Sequence, residues 1–194
     1  MKGDSDLIQI VDSALAEAAR RSGEWLACRL GCTPCCMGPF SITALDAARL
    51  NEGLHELERR DGERAGRVRM RARDSAARIA RAFPKDTVAA VLAAESALED
   101  EPCPALDPDT GGCDLYAYRP ITCRTFGPAL RFGADPEGEA LGVCELCYQG
   151  ASDEQIAACA VTVELHSEPE LQAELERAVA GGETLVALAL AGAS

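Results

Sequence analysis

The chain has 194 residues, of which 47% are hydrophobic and only 4% aromatic, and its formal net charge is −13. This length can bury a hydrophobic core without help from disulfide bonds, and the scarcity of aromatic residues favours helices over sheets. The negative charge disfavours contact with phosphate backbones and anionic lipids, so we expect neither a nucleic acid nor a membrane as a partner.

The first segment predicts an amphipathic helix over residues 6–26, because apolar residues recur along it at helical spacing. Aspartates at positions 4, 6 and 12 interrupt the apolar stretch that a signal peptide would need. The longest apolar run, residues 185–191, is too short to span a bilayer. We therefore expect a cytoplasmic protein, in which clustered cysteines serve metal or redox chemistry more often than disulfide bonds.

The sequence CRLGCTPCC follows this helix, and its Gly31 and Pro34 break regular structure as a ligand loop requires. The block contains four of the ten cysteines, namely Cys28, Cys32, Cys35 and Cys36. Neighbouring side chains point in different directions in most backbone conformations, so Cys35 and Cys36 are not expected to face one ion unless one of them bridges. The block therefore indicates two metal centres or one polynuclear centre.

A helical insertion, residues 41–99, separates this block from the remaining cysteines. Ser41 or Thr43 can cap its first helix, which carries leucines at helical spacing. A second helix is predicted over 63–82, where arginines form a solvated basic face. A third helix is predicted over 86–99 from its apolar spacing.

The composition changes over residues 101–150, where prolines and glycines leave little room for long helices. This stretch predicts loops shaped around bound metal rather than around an apolar core. It carries five further cysteines, namely Cys103, Cys113, Cys123, Cys144 and Cys147.

Helical periodicity returns after residue 150. Ser152 and Gln155 resemble a capping box that begins a helix continuing through Val163. Residues 168–179 and 183–190 predict a C-terminal helical hairpin. Together these patterns predict a mainly α-helical fold, a single small domain around a loop-rich cysteine metal centre. The predicted single domain spans residues 1–194. It consists of a cysteine-cluster core (26–40 plus 101–150), the helical insertion (41–99) and C-terminal helices (152–191).

Nine of the ten cysteines fall in the two blocks. A thiolate is a soft, charged ligand, and close spacings allow several thiolates to converge on one ion. Nine such ligands would supply two four-thiolate sites with one cysteine left over. Zinc suits closed all-thiolate sites, whereas iron–sulfur clusters tolerate irregular spacings, so zinc and iron are both retained as cofactors.

The segment from Cys113 to Phe126 follows the pattern C-x-L-Y-x2-R-P-x2-C-R-x-F. With CRLGCTPCC before it and CELC after it, the chain resembles the YkgJ-like cysteine-cluster family, a zinc- or iron-chelating domain of the CxxCxxCC type. The resemblance covers residues 28–36 and 103–147. Two departures from the family are a first cysteine pair separated by three residues and a closing pair instead of a single cysteine. The implied metal ligands are Cys28, Cys32, Cys35, Cys36, Cys103, Cys113, Cys123, Cys144 and Cys147.

Three residues beside the cysteines are expected to surround the metal centre. Arg119 and Arg124 flank Cys123, and a guanidinium can offset the charge of bound thiolates and donate N–H bonds to sulfur. The alternative is that these arginines pair with the plentiful surface carboxylates. Tyr116 is expected to cover a centre and exclude water.

The remaining candidates are expected to be ordinary structural residues. Cys159 lies on the apolar stripe of a predicted helix, which indicates a buried free thiol. His55 is expected to be exposed, and His166 to lie at a helix end, where a partly positive imidazole suits the helix dipole. Neither histidine is assigned to a metal.

The sequence leaves several functions open. The cysteines can hold structural zinc in a binding or adaptor module, an iron–sulfur cluster with an electron-transfer or oxidoreductase role, or a labile ion that the protein buffers or delivers. A thiol–disulfide switch is a further alternative. Nucleotide and flavin motifs are missing, so no catalytic residue is assigned and enzymatic activity stays undecided.

Overall fold

A computed structural model of the chain describes residues 2–84, 87–94, 98–132, 140–163 and 182–192. The fold is mainly α-helical, as predicted, and the cysteine-bearing segments are rich in loops. Among these residues, no helix has both the length and the apolar character needed to cross a bilayer.

The described helices, in chain order, are α1 (Lys2–Ser22), α2 (Ala44–Arg60), α3 (Gly62–Ala82), α4 (Thr87–Ala93), α5 (Ile121–Thr125), α6 (Asp153–Cys159) and α7 (Val186–Ala191). The described strands are β1 (Ser41–Thr43), β2 (Leu130–Phe132), β3 (Ala140–Gly142), β4 (Val161–Val163) and β5 (Glu183–Leu185).

The chain divides into two compact units. The first unit is formed by Met1–Arg29 with Ile121–Arg177, and the second by Leu30–Pro120 with Ala178–Ser194. This division runs through the first cysteine block and through the segment 101–150. That residues 1–194 fold as a single domain stays a prediction.

The first unit begins with α1, which buries one apolar face. Leu7 and Val11 lie one turn apart and are almost completely buried, which confirms the predicted amphipathic helix. A 3₁₀ turn at Gly23–Trp25 follows, and Gly23 adopts the positive φ of 50° that a helix end often requires of glycine.

A small sheet completes the first unit, in the strand order β3-β2-β4. Leu130 of β2 pairs with a residue of β3 in antiparallel register and with Val161 of β4 in parallel register. The predicted capping box of Ser152 and Gln155 begins α6, but the helix ends at Cys159 instead of continuing through residue 163. The prediction was wrong for residues 161–163, which form β4. These residues are β-branched, and pairing with β2, a strand distant in sequence, sets their conformation.

The second unit is built around α2, α3 and α7. Of the two predicted cap residues, Thr43 begins α2: its hydroxyl accepts the Asp46 N–H at 3.1 Å, and the Asp46 carboxylate accepts the Thr43 N–H at 3.4 Å. Asp61 begins α3 by accepting the N–H of Arg64 at 3.0 Å. The predicted helices over the leucine-rich and arginine-rich segments are therefore confirmed.

The core of the second unit joins these helices to the cysteine-bearing loops. Leu115, which lies between two candidate ligands in sequence, packs in this core. Gly53 of α2 lies directly under the ring of Tyr118, so only glycine leaves room for this contact. Other buried members of the core are Ile42, Leu50, Leu54, Leu57, Ala65, Val68, Ala72 and Leu190.

Two predicted helices of the second unit differ from the structure. The helix predicted over 86–99 ends at Ala93, and residues 98–100 form a turn. The predicted hairpin helix 183–190 begins as strand β5, which pairs antiparallel with β1, and becomes helical only at Val186. The pairing partner of β5 lies about 140 residues earlier in the chain, so local periodicity could not reveal it. The hairpin's other half, 168–179, lies outside the described residues.

Candidate metal-binding site

The division into two units also divides the cysteines. Cys159, the tenth, belongs to the first unit and lies outside the candidate ligands. The candidates of the first unit are Cys28, Cys123, Cys144 and Cys147. Those of the second unit are Cys32, Cys35, Cys36, Cys103 and Cys113.

In the second unit, backbone hydrogen bonds hold the first cysteine block against the start of the second. The Cys103 N–H donates to the Cys36 carbonyl at 2.8 Å, and the Gly38 N–H donates to the Glu101 carbonyl at 2.9 Å. Met37 forms an antiparallel bridge with the residue before Cys103. Two cysteines that are 67 positions apart in sequence therefore sit at adjacent backbone positions.

A tight loop returns the chain from Cys103 to Cys113. The Leu106 N–H donates to the Cys103 carbonyl at 2.9 Å, and Leu106 forms an antiparallel bridge with Cys113. Gly111 at the loop tip has a φ of 66°, and a Cβ there would lie 2.9 Å from the Cα of Gly31. Gly31, the residue before Cys32, therefore lies beside the loop that joins Cys103 to Cys113.

The thiols of the second unit influence one another's ionisation. The thiol of Cys36 donates a hydrogen bond to Cys35, which lowers the pKa of Cys35 and raises that of Cys36. Burial and the negative charges of Cys35, Cys103 and Cys113 raise the pKa of Cys36 further. Three other thiols therefore lie within electrostatic reach of Cys36.

Arginines partly offset this crowding of potential negative charge. Burial raises the pKa of Cys103 to about 11, while the charge of Arg71 acts to lower it. Burial also raises the pKa of Cys113, against the positive charges of Arg119 and Arg64. A cation among these sulfurs would favour their ionised forms in the same way as these guanidinium groups.

Of the residues predicted to surround the metal, Arg119 lies close enough to Cys113 to act on its ionisation. Its guanidinium stacks on the ring of Tyr116 at 3.9 Å and donates to the Tyr116 carbonyl at 3.0 Å. Tyr116 is 64% exposed and its ring stacks on Arg119. That Tyr116 also covers a metal centre stays a prediction.

Arg64 and Arg71 of α3 are site residues that the sequence analysis missed. Both donate to the carboxylate of Asp114, the residue after Cys113, and the side chain of Asp114 is almost completely buried. Arg71 also donates to the Pro104 carbonyl at 2.9 Å. These contacts fix the backbone beside Cys103 and Cys113 to α3, and the alternation of arginines along α3 was the only sequence signal for them.

In the first unit, Gly127 brings Cys28 and Cys144 together. A Cβ on Gly127 would lie 2.8 Å from the sulfur of Cys28, so the thiol fills the space where a side chain would stand. The Gly127 carbonyl accepts the Cys144 N–H at 3.3 Å, and the Cys144 carbonyl accepts the Cys147 N–H at 2.9 Å. From the sequence, the glycines of residues 101–150 predicted loops, and Gly127 did not stand out among them.

Cys123 and Arg124 lie on α5. Arg124 is buried and donates at 2.6 Å to both carboxylate oxygens of Asp12 in α1, which is the carboxylate pairing weighed as the alternative role. That Arg124 also surrounds a metal centre stays a prediction. The Cys159 thiol is buried, as predicted, and donates to the Arg21 carbonyl at 3.3 Å. His55 is exposed, as predicted, and His166 lies outside the described residues.

The chemistry of the donors fits a thiophilic metal, because both sets consist of thiols alone and the second set adjoins guanidinium groups. Within the part of the chain that the structure describes, no three His, Cys, Asp or Glu side chains are arranged as metal ligands. All ten cysteines lie in that part, and none forms a disulfide bond there. Metal binding would therefore require the thiols to rotate toward one another.

Comparison with known proteins agrees with this chemistry. No curated protein and no solved structure was found to match the chain. The CxxCxxCC family, described as a "Putative zinc- or iron-chelating domain", matches residues 27–147, which is well over half of the sequence. The chain belongs to this family of zinc- or iron-chelating CxxCxxCC domains.

Proposed function

We propose that the protein binds zinc or iron through cysteine thiolates, with its principal site in the second unit. The ligands proposed for this site are Cys35, Cys36, Cys103 and Cys113, with Cys32 adjoining them. Adjacent side chains were expected to point apart, but the hydrogen bond between the thiols of Cys35 and Cys36 brings these two together. The observation that carries the proposal is the 2.8 Å hydrogen bond from the Cys103 N–H to the Cys36 carbonyl. It joins the two cysteine blocks at the point where the sequence alone predicted shared metal ligands.

The electrostatics of these thiols supports the proposal. Hydrogen bonding, burial and the charges of neighbouring thiolates all raise the pKa of Cys36. Ionising all four thiols together is therefore unfavourable unless a cation is bound. A bound ion would supply the positive charge that the thiolates share, and it would link the loops that carry them. Arg119 is proposed to donate N–H groups toward Cys113 and to limit the charge that remains.

We further propose a structural role in a reducing, cytoplasmic environment. The segments beside Cys103 and Cys113 are fixed mainly by loop hydrogen bonds and by the arginines of α3, and a metal would add a covalent-like constraint. Reduced thiols are a precondition for this role. An iron–sulfur cluster with a redox role is the alternative, and it predicts a visible colour that zinc does not produce.

Metal content tests the proposal directly. The wild-type chain and the double variant Cys36→Ser/Cys103→Ser are purified without oxygen, and zinc and iron are measured per chain. We expect bound metal in the wild type, a loss of at least half of it in the double variant, and an unchanged amount in the control Cys159→Ala. Brown wild-type protein with broad visible absorption would assign the iron–sulfur alternative. Wild-type protein without metal under reducing conditions would refute the proposal.

A further inference from the structure

We infer that Cys36 and Cys103 form an oxidation-sensitive pair, which hydrogen peroxide converts into a reversible disulfide bond. Both thiols are free in the structure. The inference rests on the proposed function for its consequence, because the disulfide would remove two of the four proposed ligands and release the metal. It goes beyond that function by assigning a covalent modification and the class of oxidant that produces it.

The backbone register between the two loops carries the inference. Met37 and Pro102 form an antiparallel bridge, so Cys36 and Cys103 occupy the next positions along the same register. The Cys103 N–H donates to the Cys36 carbonyl at 2.8 Å, as expected of facing residues. Residues that face each other in this way project their side chains to the same side. Their Cα atoms lie about 5.5 Å apart, within the range of roughly 4.4–6.8 Å that disulfide bonds span.

Further contacts fix the two loops at this register. On the other side of the bridge, the Gly38 N–H donates to the Glu101 carbonyl at 2.9 Å. The Glu101 carboxylate accepts two hydrogen bonds from Arg78 of α3, at 2.7 and 2.8 Å. The backbone of Cys36 and Cys103 is therefore already held in place, and forming the disulfide requires rotation of the two side chains only.

Other pairs of cysteines in the second unit suit a disulfide less well. Cys35 and Cys36 are adjacent, and Cα atoms joined by one trans peptide lie about 3.8 Å apart, which is shorter than the disulfide range. Cys113 is in register with Leu106 rather than with Cys103. Cys36 and Cys103 are therefore the pair whose backbone positions match the bond.

The surroundings of Cys103 favour a small oxidant. Neither Cys36 nor Cys103 is completely buried. A cavity of about 20 Å³ borders Cys103, and Ser75 and Glu101 are among the residues that line it. A cavity of this size admits a water-sized molecule, so a bulky oxidant such as oxidised glutathione is disfavoured there. Peroxide is proposed as the oxidant for this reason.

The reaction is a two-electron oxidation. The first thiolate attacks one oxygen of the peroxide, which breaks the O–O bond, leaves a sulfenic acid and releases the other oxygen as water after protonation. The second thiol attacks the sulfenic sulfur, forms the S–S bond and displaces the hydroxyl group as a second water. Two thiols thus lose two electrons and two protons, and one peroxide is reduced to two waters. A thiol reductant reverses the bond by exchange.

Peptide mapping of the oxidised wild type tests the pair without relying on any variant. Reduced full-length protein is treated with one equivalent of hydrogen peroxide, blocked with N-ethylmaleimide and digested without reductant. The crosslinked residues are then located by fragmentation of the peptides. We expect Cys36–Cys103 to account for at least half of the disulfide formed, and dithiothreitol to remove it. A predominant disulfide between any other two cysteines would overturn the inference, as would the absence of a disulfide.

Two neighbouring variants provide the matched control. Cys36→Ser should remove the crosslink to Cys103, whereas Cys35→Ser should retain it, because the register of the backbone and not the number of thiols determines the partner. Loss of the crosslink in both variants, or in neither, would overturn the inference.

Metal release separates this inference from the proposed function. Peroxide should release at least half of the metal from metal-loaded wild type, and dithiothreitol with added metal should restore it. Retention of the metal by disulfide-bonded protein would overturn the inferred release. Protein that forms the disulfide but never binds metal would refute the proposed function and leave the oxidation-sensitive pair standing. Protein that binds metal but forms no disulfide would overturn the inference alone.

Discussion

In the second unit, backbone hydrogen bonds and buried charges position the cysteines, whereas in the first unit a turn and a missing side chain do so. Cys36 and Cys103 face each other through a bridge between two loops, and Asp114 holds the next cysteine segment to α3. Cys28 instead occupies the space above Gly127. One fold can therefore position cysteines either by directional bonds or by packing, and the two arrangements should respond to different mutations.

The largest effect is expected at Asp114, on which the order of the second unit depends. Asp114→Ala removes a buried carboxylate and leaves Arg64 and Arg71 without it, and we expect a loss of about 3 kcal/mol in the free energy of unfolding. Both arginines are partly exposed, so the cost lies at the lower end for broken buried pairs. Urea unfolding of the wild type and the variant measures this loss in the free energy of unfolding. Glu63→Ala, which breaks an exposed pair with Arg67, is the control and should leave stability unchanged.

The packing of α2 against Tyr118 gives the next largest effect. Gly53→Ala places a methyl group against the Tyr118 ring, and we expect a net loss of about 2 kcal/mol despite the better helix propensity of alanine. Gly66→Ala on α3 is the matched control, because nothing lies within 4 Å of a Cβ there. The control should gain about 0.5–1 kcal/mol. Equal behaviour of the two variants in thermal unfolding would contradict the packing described for Tyr118.

The packing mechanism of the first unit is tested at Gly127. Gly127→Ala places a Cβ against the Cys28 sulfur, and we expect a loss of about 1.5 kcal/mol in the free energy of unfolding. Gly150→Ala is the control, since Gly150 also has a positive φ but nothing lies within 4 Å of a Cβ there. The control should share the backbone strain and lose less stability. If urea unfolding gives both variants the same loss, the space above Gly127 has no role in positioning Cys28.

The smallest effect is expected at the ion pair of Arg78 and Glu101. Hydrogen bonds from Arg78, at 2.7 and 2.8 Å, lower the pKa of Glu101 from its ordinary value. A lowered folded-state pKa contributes stability above the unfolded pKa of about 4.3, and this contribution is lost as the pH falls through the folded value. Glu101→Gln should therefore cost about 1 kcal/mol at pH 7, and the difference from wild type should shrink below about pH 4. A constant difference across this range in chemical unfolding would contradict the pairing.

Sequence patterns predicted the features that depend on residues close together in the chain. The caps at Thr43 and Ser152, the buried stripe of α1 and the burial of Cys159 all follow from spacings of a few residues. The resemblance to a CxxCxxCC domain, carried by the Cys113–Phe126 motif, is confirmed by the match over residues 27–147. The assignment of the nine cysteines as ligands stays a prediction.

Features that depend on distant partners were missed. The local sequences of β4 and β5 resemble helices. These residues form strands because β4 pairs with β2 and β5 pairs with β1. Asp114 directly follows Cys113, but its arginine partners lie 43 and 50 positions away. The same holds for Arg124, whose carboxylate partner is 112 positions earlier. Spacing alone also could not show how the cysteines divide between the two units.

X-ray absorption at the metal edge of the reconstituted wild-type protein tests the central claim most directly. If cysteines from both blocks bind the metal, zinc-loaded protein should show a shell of four sulfur atoms at about 2.3 Å. A shell containing nitrogen or oxygen atoms at about 2.0–2.1 Å would contradict the account, because it would place histidine, carboxylate or solvent where thiolates are expected.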